Sequence, residues 1–110
     1  FDAAAQAVEP GEAGPGFLAV GDAASAWDPL SSWGITKGLR DGFLGAEALA
    51  EAHAGNAGAV EAHRRRRGVE FQAHLARRAS FYGSEARWAH APFWRARHAA
   101  HIPTVPAPEA

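Results

Sequence analysis

Gly16-Phe-Leu-Ala-Val-Gly-Asp-Ala-Ala-Ser-Ala-Trp-Asp-Pro-Leu-Ser-Ser-Trp-Gly-Ile35 is the stretch from which the rest of the chain is read. Residues 17–20 form an apolar run bounded by Gly16 and Gly21. Its length and continuous hydrophobicity predict a strand buried on both faces, as in an α/β sheet. The run ends on Gly21-Asp22, and residues 23–32 read as a connection in which Pro29 drives Asp28 toward an extended conformation. A helix opens at the Ser-Ser-Trp-Gly step. This order predicts a carboxylate and a helix N-terminus on the same side of a sheet edge. A carboxylate there can hold sugar or polyol hydroxyls, and a helix start attracts negative charge.

Downstream of Trp33 the period changes. Ile35, Leu39, Phe43, Ala46 and Ala50 recur at three or four residues, one face of a helix that ends near Gly55-Asn56. A second helix is predicted over 57–82, with Val60, Arg64, Arg67, Phe71, Leu75 and Tyr82 on one face. Gly68 inside it costs about 1 kcal/mol relative to Ala and allows a break. A third helical piece is predicted over 84–91. Pro92 then opens a last helix reaching His98 or His101. Upstream, 10–15 reads as a Pro/Gly loop, and the prolines of 103–108 predict an extended tail. Two regions follow, 1–56 and 57–110.

The 110 residues suffice for one small domain with a modest core. Much of the 47% hydrophobic content is Ala, so a mostly helical chain with thin core stripes is expected. A net charge of −1 gives no electrostatic reason for nucleic acid or an acidic membrane surface. With no Cys, the chain has no disulfide or thiolate chemistry and fits a reducing compartment. No run approaches the roughly 18 apolar residues of a membrane span, and residues 1–15 lack the basic start of a secretory signal. The expected location is cytoplasmic. The absence of Met and the start at Phe1 suggest a piece of a longer polypeptide.

Other constellations read more plainly. Residues 64–67 are four consecutive arginines that point all round a helix, so they read as solvated or ion-paired surface, with Glu61 and Glu70 as helix partners. Six histidines (53, 63, 74, 90, 98 and 101) form no tight set with a carboxylate on one face, and no metal site is expected. Phe81, Tyr82, Trp88, Phe93 and Trp94 are expected to pack together or to line an aromatic pocket. Ser25, Ser31 and Ser32 lack a Gly-x-Ser-x-Gly context, which argues against a hydrolase nucleophile.

The segment Gly21, Asp22, Ala23, Ala24, then Asp28, Pro29, Leu30, Ser31, Ser32, Gly34 and Ile35 closely resembles the second FAD-contacting motif of flavin-dependent aromatic monooxygenases and tryptophan-halogenase-like flavoproteins. Residues 81–88 and 92–95 are similar to the C-terminal region of a halogenase-like branch, some members of which hydroxylate aromatic residues of partner proteins. The resemblance implies the distal part of an FAD-binding, Rossmann-like α/β domain (its last strand and helix, 1–56) followed by a C-terminal helical region and tail (57–110). It implies that Asp22 contacts the ribityl group and that Gly34 and Ile35 lie by the flavin pyrimidine ring. Gly21, Pro29 and Ser32 complete the implied cofactor contacts, with Trp33 close to the ring. The implied activity is oxygenation of an aromatic small molecule or protein-borne aromatic residue through a flavin hydroperoxide. Electrons would come from NAD(P)H or a flavin reductase. Trp33 stands where halogenases usually carry a small residue beside their halide pocket. No Gly-x-Gly-x-x-Gly opens a helix after a strand, so the dinucleotide fingerprint and the catalytic residues are expected outside this chain. The alternatives are a flavin-dependent halogenase, a prenyl-reductase-type flavoenzyme, or a non-catalytic helical interaction module.

Overall fold

The computed structural model describes residues 6–7 and 17–99. Three helices account for most of them: α1 (Gly34–His53), α2 (Ala59–Gly83) and α3 (Pro92–Ala99). Two-residue strands, β1 (Gln6–Ala7) and β2 (Ser25–Ala26), pair antiparallel with Gln6 opposite Ala26. Short 3₁₀ turns occupy Gly21–Ala23 and Pro29–Ser31. No described helix is long and apolar enough to cross a membrane.

The expected α/β, Rossmann-like architecture is therefore corrected to a mostly helical one. Residues 17–20 form no strand. Val20 is extended (φ −133°, ψ 163°), yet the described residues give it no ladder partner. The physical reason lies at Gly21, which takes φ +59° and turns the chain at once into a 3₁₀ turn against α1. A Cβ built on Gly21 would lie 3.7 Å from the Gly38 Cα, so the turn rests on the helix backbone. Of the apolar run only Ala19 is buried, and Phe17 is exposed. The run is a lead-in to a turn.

Helix α1 begins without a side-chain cap and ends where Gly55 takes φ +107°, a left-handed stop that suits Gly. Helix α2 runs unbroken through Gly68. Its length outweighs one poor helix former. Glu61 sits in its first turn, where a negative charge complements the helix dipole. The predicted helix over 84–91 is absent, replaced by turns. There Ser84 Oγ donates to Phe81 O at 2.7 Å, and the Arg87 backbone N–H donates to Glu85 Oε1 at 2.9 Å. These local bonds give the backbone an alternative to the helical ladder. Pro92 opens α3, where its missing N–H costs nothing.

The described residues fall into two compact units divided between Ala73 and His74. In the second unit, Tyr82, Phe93 and Trp94 meet edge to face with centroids 5.2–6.2 Å apart. Arg97 lies 4.4 Å from the Phe93 centroid. Trp88 and Phe81 stay exposed, outside this cluster. In the first unit, the buried apolar residues are Ala19, Ala24, Ala48, Ala59 and Phe71, against buried Ser25, Asp28, Lys37, Asp41 and His63. Small side chains exclude little water, so polar links carry much of the cohesion.

Candidate functional site

The site is built on the turn at Gly21–Ala23 and the first half of α1. Lys37 and Asp41 are one helical turn apart and project from α1 on the same side. Lys37 Nζ donates to Gly21 O at 2.9 Å and to Ser25 O at 2.7 Å. Asp41 Oδ2 accepts the Gly21 N–H at 2.8 Å. Both polar groups of the Gly21 backbone are thus bound by side chains of α1, and the turn is clamped at a fixed place. Burial lowers the Lys37 pKa from its ordinary value, while the carboxylates of Asp22 and Asp41 oppose that shift.

Behind the clamp stands His63 of α2. Its side chain is 1% exposed, and Nδ1 lies 2.9 Å from Arg66 Nη2. A guanidinium only donates, so Nδ1 accepts and the ring proton sits on Nε2, facing Asp41 Oδ1 at 3.7 Å. His63 is thereby assigned as neutral. Burial is the main cause lowering its pKa, reinforced by the Arg66 cation and opposed by Asp41. Arg66 also approaches Asp41 at 4.0 Å and Glu70 at 3.7 Å, and Arg40 pairs with Glu70 at 2.8 Å. Arg64 donates to Phe17 O at 3.0 Å and pairs with Glu61 at 3.9 Å. Within the arginine run, Arg64 and Arg66 tie α2 to the Phe17 carbonyl and to Asp41 of α1.

The clamp leaves Asp22 facing outward. Its side chain is 76% exposed, with Oδ1 3.9 Å from Lys37 Nζ. Asp28 caps the second 3₁₀ turn by accepting the Leu30 N–H at 3.0 Å, and Pro29 supplies the first residue of that turn. Ser32 closes it with φ 58°, a left-handed conformation that costs a non-Gly residue about 1 kcal/mol or more. Trp33 is exposed and gives α1 no side-chain cap. The first ladder bond runs from Lys37 N to Trp33 O at 2.8 Å, so the amides of Gly34, Ile35 and Thr36 precede the helical ladder. A Cβ on Gly34 would meet nothing within 4 Å, which leaves room for a flat group against the backbone. Ile35 is 83% exposed.

An exposed carboxylate on a clamped turn can accept from hydroxyl groups, and the uncapped helix start offers donors to negative charge. Gly21 is fixed by its positive φ and its two clamped backbone groups. Pro29 and Ser32 shape the turn between Asp22 and α1. A separate open groove of about 510 Å³, lined by residues that include Glu47, Ala48, Glu51, His63 and Arg66, contains none of the predicted flavin contacts. Among the described residues no set of three His, Cys, Asp or Glu side chains is placed to hold a metal ion.

Lys37, Asp41 and His63 did not emerge from the sequence. The available signal was Lys37 and Asp41 at i and i+4 behind a Gly-Asp turn, a charged pair on the side of the helix opposite its apolar stripe. No known protein family matches the chain, and neither a curated protein nor a solved structure shows significant similarity to it.

Proposed function

We propose that the chain is part of an FAD-dependent oxidoreductase that oxygenates an aromatic substrate, either a small molecule or an aromatic residue of a partner protein. The observation that carries this reading is the outward-facing Asp22 carboxylate on a turn pinned by Lys37 and Asp41. Residues 17–20 form no strand, so this turn and the start of α1 carry the implied cofactor contacts. FAD supplies oxygen activation when bound, with electrons from NAD(P)H or a flavin reductase. The chain's own residues bind and orient. Asp22 accepts hydrogen bonds from ribityl hydroxyls. The amides of Gly34 and Ile35 stabilise negative charge at the pyrimidine edge. Trp33, at the N-cap, occupies the neighbourhood a halide would need, which favours oxygenation over halogenation.

Flavin titration of the protein as its gene encodes it tests the reading, with Asp22→Asn as the probe. Hydrogen bonds to a charged acceptor are worth about 1.5–3 kcal/mol, so affinity should fall by roughly tenfold or more. An unchanged affinity removes Asp22 from the site. A halogenated product formed with a flavin reductase, oxygen and bromide would overturn the oxygenase assignment. A second reading, a non-catalytic helical interaction module, is favoured by the exposed apolar face of α1. Absence of bound flavin from the purified protein would select it.

A further inference from the structure

We propose that α1 is the interface of a two-fold, antiparallel dimer of this chain, a property that does not depend on the flavin reading. Ile35, Leu39 and Phe43 form one row along the helix, 83%, 74% and 66% exposed. Beside it runs a row of small residues at the same spacing, Gly38, Gly42, Ala46 and Ala50. A Cβ built on Gly38 or Gly42 would meet nothing within 4 Å, so much of the small row is an open groove next to a ridge. A ridge and a groove of one helical period are self-complementary. The ridge of one copy seats in the groove of the other, and the two-fold repeats the contact.

Shape and charge both select a second copy as the occupant. With Leu49, 51% exposed, this apolar strip runs along the outer side of α1 from residue 35 to residue 50. Arg40 and Glu47 lie on the same edge of the stripe, seven residues apart. In an antiparallel pair, same-edge residues face each other. A two-fold axis beside residues 43 and 44 therefore sets Arg40 of each copy against Glu47 of the other. The Arg40 side chain is 58% exposed even with its Glu70 ion pair, which leaves it accessible to a second carboxylate. The same axis places Phe43 beside its own counterpart and Leu39 over Ala46.

Sedimentation of the protein across a concentration series tests this. The expected result is a concentration-dependent dimer whose dissociation constant rises by roughly tenfold or more in Phe43→Glu, with helix content unchanged. The chain has no cysteine of its own, so single thiols report the register. Phe43→Cys should cross-link under mild oxidation. Thr36→Cys should not, because its two copies lie about 20 Å apart along antiparallel helices. A monomer at all concentrations overturns the proposal, as does an oligomer indifferent to Phe43→Glu. Efficient cross-linking through Thr36→Cys overturns the antiparallel register. Loss of flavin binding in Asp22→Asn leaves all these readouts unaffected, so the two proposals fail separately.

Discussion

Opposite faces of α1 do opposite work, and with the chemistry reversed from that of an ordinary surface helix. The inward face is Lys37, Asp41, Gly45 and Ala48, all buried. The outward face is Ile35, Leu39, Phe43, Ala46 and Ala50, all exposed. An amphipathic helix usually turns its apolar stripe to the core. Here the interior takes the charges because each has a fixed partner: two carbonyls for Lys37, a backbone amide and neighbouring cations for Asp41. Burying a charge is tolerable only on those terms. The apolar stripe, lacking such partners within the described chain, is left for another surface.

The sharpest way to break this comparison is to remove the inward carboxylate. Asp41→Ala leaves the half-buried Gly21 amide without its acceptor and strips the negative charge from beside Lys37, His63 and Arg66. Breaking a buried charged network by removing one member costs about 3–5 kcal/mol. Urea unfolding should register a loss of that size. A loss below about 1 kcal/mol would mean that the clamp contributes little. Gly45→Ala is the next largest. Its new Cβ would lie 2.7 Å from Val20 Cγ1, and overpacking of this kind costs about 1–3 kcal/mol. Gly42→Ala, whose Cβ meets nothing within 4 Å, is the matched control on the open side of the helix and should be neutral or stabilising.

Acid sharpens the same contrast. The His63 pKa is lowered in the folded chain, so the unfolded state takes up a proton first as pH falls through about 6.5. Stability from neutral His63 is full above that value and declines below it. His63→Gln should flatten the slope of stability between pH 7 and pH 5. An unchanged slope would place the titration elsewhere.

The sequence carried the helices well and their orientation poorly. Period alone located α1 and α2 to within a few residues, and Pro92 marked the start of α3. Period cannot say which face turns inward, because that depends on partners distant in the chain. Lys37 meets Gly21 and Ser25 sixteen and twelve residues away, and Asp41 meets Gly21 across twenty. Neither pairing has a local signature, so the sequence singles out neither residue. The strand expected at 17–20 failed for a related reason. Four apolar residues make a strand only if neighbours supply a ladder, and Gly21 turns the chain before one forms. The Gly-Asp turn and the position of the helix start were legible because they are local.

The smallest expected effect is the most discriminating for the outward face. Leu39 is 74% exposed, so Leu39→Gln removes little buried area and exchanges one good helix former for another. In protein diluted until it is monomeric, its unfolding free energy should stay within about 0.5 kcal/mol of the parent. At high concentration the same substitution should weaken self-association, since Leu39 sits on the ridge that enters the opposite groove. The two measurements separate stripe from core. Core packing would make Leu39→Gln costly at every concentration, on the scale of about 2–5 kcal/mol seen when buried leucines are truncated. A stripe reserved for a second copy makes the cost vanish on dilution. A large loss in the dilute protein would mean that the apolar face of α1 is interior after all, and that the inversion of its two faces is wrong.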